Sequence, residues 1–170
     1  MSANGGRASS GNKGNVRSRG RDQTGQDVLR RLERRGLRVD QRGESFSTDC
    51  AAHSYGQVQQ FFRNNSCDAL FRALYEVRGA SGARVLVAAA WVDMPDAAGA
   101  AALKSLVDRP VTANITELSK EQSRYRRVRF TGQQYASVQD GSTVVNAQIE
   151  PLGSTAVGVS TARAVLSEIS

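Results

Sequence analysis

His53 is the only histidine in this 170-residue chain, and Cys50 and Cys67 are its only cysteines. General-base, nucleophile and metal-ligand chemistry therefore converge on one stretch, Asp49-Cys50-Ala51-Ala52-His53, and on Cys67. A thiol nucleophile needs a base and an orienting group within hydrogen-bond reach. Asp49, Cys50 and His53 are the right types, but they sit close together in what reads as a loop and helix cap. Cys–His enzymes usually assemble these groups from distant parts of the chain. A thiol-dependent enzyme using Cys50 and His53 is thus a minor alternative to a histidine at the surface or on a helix cap. Structural zinc takes four Cys/His ligands at tight paired spacing, and the chain offers three, so no metal is expected.

The stronger reading of the two cysteines is a mutual disulfide. They are 17 apart, each beside an aspartate, and flank an aromatic segment. Closing a loop of that length adds about 3 kcal/mol on the chain-entropy model. A pair of reduced thiols is the alternative, expected if the protein stays in the cytosol. No phosphate-binding loop is present: the Gly-rich stretches 1–20 and 79–82 lack Gly-Lys-Ser/Thr and a preceding strand. No cofactor is expected.

Charge is unevenly distributed. Residues 1–42 hold 11 Lys+Arg and 4 Asp+Glu, a surplus of seven, whereas 43–170 hold 12 of each. The pI of about 10.1 therefore belongs to an N-terminal arm and not to the body. Residues 1–23 are Ser, Gly, Asn and Arg with one sizeable apolar side chain, Val16, and read as a disordered basic arm. Arg17, Arg19 and Arg21 lie on that arm, and Arg30, Arg31, Arg34 and Arg35 on the short helix expected after it. Inside the body, Arg124, Arg126, Arg127 and Arg129 form the one basic cluster. A solvated strand face is its simplest reading. Readers of single-stranded nucleic acid would also show aromatic platforms, and here the aromatics fall at core positions.

Residues 24–170 read as a single α+β domain. Val28, Leu29 and Leu32 mark the first helix, with Gly36 as its C-cap, and a short strand is expected near 37–39. Ser54 to Gln57 fits a capping box, and Tyr55, Val58, Phe61 and Phe62 form the stripe of a second helix. Then the period changes to two. Ala69, Phe71, Ala73, Tyr75 and Val77 alternate with Leu70, Arg72, Leu74, Glu76 and Arg78, giving a strand with one face inward. Arg84 to Val92 reads as a central, covered strand. Pro95 opens a third helix packed through Ala98, Ala101, Leu103, Leu106 and Val107. A third strand with Val128, Phe130 and Tyr135 carries a bulge at Gly132, and Asp140-Gly141 turns into a fourth from Thr143 to Ile149. A last helix runs from about Ser160 to Ile169. The two halves echo one another, so the expected fold is two ββα units forming a four-stranded antiparallel sheet. Its helices lie on one face, and two N-terminal helices precede it.

Asp49-Cys50-Ala-Ala-His53-Ser-Tyr-Gly56, Cys67, Ala90-Trp-Val-Asp-Met-Pro95, Asn114-Ile-Thr-Glu-Leu-Ser119 and Val128-Arg-Phe-Thr-Gly132 together carry a resemblance. Over about Val28 to Ile169 the chain resembles a family of uncharacterised actinobacterial proteins, many with a membrane anchor ahead of the domain. The resemblance implies no activity. It implies an anchored domain facing an oxidising exterior, where Cys50 and Cys67 would be bridged. This chain departs from the pattern by opening on a hydrophilic basic arm.

The longest apolar run, 85–92, is far short of the ~20 residues of a spanning helix. The expected location is cytoplasmic if the chain is complete, and the outer face of the cell membrane if an upstream anchor has been lost. The expected function is a non-enzymatic binding or scaffolding domain, its partner an unknown protein or small ligand. The alternative is a nucleic-acid-associated protein that neutralises phosphates through the basic arm alone.

Overall fold

A computed structural model describes residues 26–79, 82–109, 114–121, 123–153 and 156–169. The arm, with Arg17, Arg19 and Arg21, lies outside the described residues. Helix α1 (26–34) leads into β1 (Arg38–Ser47), and α2 (Gly56–Asn64) follows. The hairpin β2 (Ala69–Arg78) and β3 (Arg84–Asp93) leads into α3 (Ala97–Val107). After a long connection, β4 (Tyr135–Asp140) and β5 (Thr143–Pro151) form a second hairpin, capped by α4 (Ala156–Ile169). All neighbours are antiparallel, in the order β1-β2-β3-β5-β4.

The sheet thus has five strands and not four. The extra one is β1, ten residues whose polar sequence, Arg-Val-Asp-Gln-Arg-Gly-Glu-Ser-Phe-Ser, hides its strand character. Such a composition suits an edge, where charge and a register shift between Gln41 and Gly43 discourage pairing with another chain. Because β1 lies between them, α1 and α2 do not precede the sheet as a pair. The short strand expected near 37–39 is its first part.

Helices cover both faces, contrary to the one-sided arrangement expected. Even-numbered residues of β2, β3 and β5 share one face, here called the first. There Leu70, Ala90, Val92 and Val144 pack with Val58 and Phe62 of α2 and Ala100, Leu103 and Val107 of α3. Odd-numbered residues form the second face. Val77, Val85, Val87, Ala147 and Ile149 meet Leu32 of α1 and Ala162 and Val165 of α4. The hairpin–helix order of the two halves therefore holds, but their helices pack on opposite sides and the units are not equivalent. With both faces covered, β3 is buried from Val85 to Val92. Each fully buried Leu or Val there contributes about 1.5–3 kcal/mol.

Several local expectations give way to tertiary contacts. Tyr55, not Ser54, is the N-cap of α2 and makes no side-chain cap bond. The Ser54 hydroxyl donates instead to the carbonyls of Cys50 and Ala51. On α3 the buried face runs through Ala100, Leu103 and Val107, leaving Ala98 and Ala101 exposed. The third expected strand begins only at Tyr135, and Val128 and Phe130 belong to the irregular connection before it. They pack with Leu74, Leu86, Ala88, Leu118 and Tyr125 over the first face.

Candidate functional site

That connection builds the site. Between α3 and β4, residues 114–121 and 123–131 lie over the first face at β2 and β3, where alternation alone had left Arg72 and Glu76 facing solvent. Instead Arg72 is 1% exposed and Glu76 0%. Two buried charges on one strand require partners, since an unpaired buried ion costs several kcal/mol.

Arg72 is held by residues from two other segments. Its Nη1 donates to the Thr116 carbonyl at 3.0 Å and to Glu121 Oε1 at 3.1 Å, and its Nη2 to Glu121 Oε2 at 2.8 Å. This is a bidentate arginine–carboxylate pair, the strongest planar match available to either group. His53 Nδ1 stands 3.0 Å from both Arg72 Nη2 and Glu121 Oε1. Backbone bonds fix that approach: Thr116 N donates to the His53 carbonyl and Tyr55 N to the Asn114 carbonyl. The Arg72 hydrogen bonds hold the Glu121 carboxyl below the usual carboxylate range against the opposing effect of burial, with His53 adding to the lowering.

Beside Arg72, the cross-strand row continues through Ala90 to Asn146, and the next row joins Leu74, Ala88 and Gln148. Asn146 Nδ2 donates to Asn114 Oδ1 at 2.8 Å, and Gln148 Nε2 to Glu117 Oε1 at 3.0 Å. Ala88 and Ala90 are too short to fill the space between these polar groups. The result is a small open cleft lined by Arg72, Ala88, Ala90, Thr116, Asn146 and Gln148, with a volume of about 10 Å³. That is the room one water molecule takes.

Glu76 lies further along β2. The Tyr125 hydroxyl donates to its Oε2 at 2.6 Å, and three guanidiniums converge on it: Arg78 at 3.2 Å, and Arg42 and Arg84 each at 3.3 Å. Burial pushes the Glu76 carboxyl up, but the Tyr125 hydroxyl and the Arg42 and Arg78 guanidiniums outweigh it and hold it at about 2. The same pairing, added to burial, pushes the Tyr125 hydroxyl up.

The remaining candidate residues fall as follows. Cys50 and Cys67 form a disulfide with Cα atoms 6.2 Å apart, tying the turn Ala51–His53 to the entry of β2. The thiol that would have served His53 is thereby consumed. Asp49 Oδ1 accepts from Ala52 N and only shapes that turn. Among the described residues no group of three or more His, Cys, Asp or Glu could hold a metal ion. Arg124, Arg126, Arg127 and Arg129 are all exposed, but on the irregular connection and not on a strand face. Arg124 lies 5.3 Å from the Tyr125 ring centroid. On α1 and in the turn that ends it, Arg31 and Arg35 pair with Glu168 of α4, and Arg30 approaches Asp27, while Arg34 is exposed.

Sequence reasoning missed Arg72, Glu121 and Glu76 as site residues. The available signal was two opposite charges in one strand, each between leucines or flanked by apolar neighbours. Comparison with known proteins finds no matching family model, no matching curated protein and no matching solved structure. Among the described residues no helix is long and apolar enough to cross a membrane.

Proposed function

We propose that this chain is a non-catalytic binding or scaffolding domain that works in an oxidising, extracytoplasmic setting. The Cys50–Cys67 bridge carries the reading. Cys50 is buried in the core of the first face, among Val58, Phe62 and Met94, so the disulfide is part of the packed structure. Structural disulfides of this kind persist in oxidising compartments and are rare in the cytosol. Two further observations support a role without catalysis. The one histidine has its Nδ1 within 3.0 Å of both an arginine and a carboxylate. Both thiols are joined to each other.

The test is a thiol count by alkylation and intact mass on protein recovered from its native compartment. No free thiol is the expected result, and two free thiols would overturn the placement. A second expectation concerns stability. The Cys50→Ala/Cys67→Ala variant should lose about 3 kcal/mol, because the unfolded chain regains the freedom of a 17-residue loop. Urea unfolding of the oxidised protein against the variant measures it. A difference within experimental error would show that the bridge adds nothing to the fold.

The alternative, phosphate contacts to nucleic acid through the basic arm, finds limited support in α1 and the turn that ends it. Arg31 and Arg35 are already paired with Glu168, which withdraws them from external phosphates.

A further inference from the structure

The residues from 26 onward carry a surplus of three positive charges, and the charge is unevenly placed. At the end of the sheet where the β2–β3 hairpin turns, Arg38, Arg78 and Arg84 stand directly opposite one another on β1, β2 and β3. Like charges opposed across strands are destabilising. The next row holds Asp40, Glu76, Leu86 and Glu150. Arg42 reaches in from the edge strand to Glu76. The connection that covers Leu86 adds Arg124, Arg126, Arg127 and Arg129. Eight arginines against three carboxylates leave this end with a surplus of five positive charges. Glu76 satisfies one guanidinium's charge while touching three, and Arg78 and Arg84 remain nearly half exposed.

The opposite end is acidic. Asp68 and Asp93 sit where β2 begins and β3 ends, Asp140 at the β4–β5 turn, Asp49 beside the disulfide and Asp96 at the start of α3. Ten-residue strands separate the ends by about 30 Å. That is several Debye lengths at physiological salt, so each end presents its own field.

We infer that the arginine end is a docking surface for an anionic phospholipid membrane; this rests on the extracytoplasmic reading above. The surplus is spread over three segments instead of converging on one pocket, which matches a plane of headgroups better than a single small anion. Among the described residues the exposed large aromatics, Phe46 and Tyr55, lie elsewhere, so no exposed stacking platform for bases accompanies the arginines there. A basic N-terminal arm on the same chain adds charge of the same sign. Each arginine held near an anionic surface strengthens partition about fivefold.

Sedimentation of the full oxidised chain with phosphatidylglycerol-containing vesicles, against phosphatidylcholine vesicles, at 0.15 M salt tests the inference. The variant Arg126→Gln/Arg127→Gln/Arg129→Gln removes three exposed charges from the basic end with the arm intact. It should weaken partition about a hundredfold. The control Arg63→Gln/Lys104→Gln/Arg109→Gln removes the same charge elsewhere and should change it only a few-fold. Equal effects of the two triples, or equal binding to both vesicle types, would overturn the inference. So would tighter binding to duplex DNA with the same dependence on the basic end, which would make nucleic acid the polyanion. The location is judged separately: two free thiols in native protein would remove the extracytoplasmic placement while leaving a measured lipid affinity intact.

Discussion

Glu121→Gln should destabilise the protein by about 3–5 kcal/mol, more than Arg72→Met, although the two changes break the same ion pair. The difference lies in which partner is left behind. Without the Glu121 carboxylate, Arg72 stays at 1% exposure facing the Thr116 carbonyl, His53 and a neutral amide that offers one acceptor and turns a second donor on the guanidinium, with no counter-charge. Without Arg72, the Glu121 side chain, already 42% exposed, turns to water. Arg72→Met also keeps volume in the core, so its cost falls to that of lost hydrogen bonds and imperfect packing, about 1–2 kcal/mol. Urea midpoints of the two variants and the parent decide the matter. Equal losses would mean that the bidentate pair contributes no more than its hydrogen bonds.

Acid should destabilise the protein progressively below about pH 5, and Glu76 is the main reason. Its folded pKa, about 2, lies below the usual 4.5 of a glutamate. A carboxylate with a depressed folded pKa contributes stability that is fully present above its unfolded pKa and is lost as pH falls through the folded one. The window is therefore about pH 5 to 2, and a shift of this size corresponds to about 3 kcal/mol. Glu121 acts in the same direction, since its carboxyl is also lowered, through Arg72. Glu76→Gln should lose about 3 kcal/mol at pH 7, because it leaves Arg42, Arg78 and Arg84 close together without their shared anion. The same variant should have a shallower stability curve below pH 5. Unfolding free energies from pH 7 to 3 for parent and variant test both points. Parallel curves would show that Glu76 does not titrate with folding.

Much of the scaffold was legible in the sequence. The covered strand at 84–92 declared itself by apolar residues at every position from 85 to 92, and Asp140-Gly141 marked the second hairpin at the right place. The paired cysteines were legible because there are only two. β1 was longer than its sequence implied, since an edge strand needs only one partner and keeps its polar residues in water. The segment 126–134 resembled a strand because Val128 and Phe130 alternate with arginines. Those two side chains are apolar for another reason: they roof Leu86.

Counting residues in sequence order was enough to show that 43–170 is neutral and that the surplus lies before it, but the fold takes part of that surplus, Arg30 to Arg42, into α1, β1 and the turn between them. It also put Arg72 and Glu76 on a common strand face, because a strand's period of two is local geometry. What covers that face is not local. A connection more than forty residues downstream lays Thr116, Glu121 and Tyr125 over it, turning two apparently solvated charges into the most buried ones. Antiparallel pairing then gathers arginines from β1, β2 and β3 at one end and aspartates at the other. Net charge is additive along a chain, whereas the field it produces depends on position, and only the tertiary fold sets position.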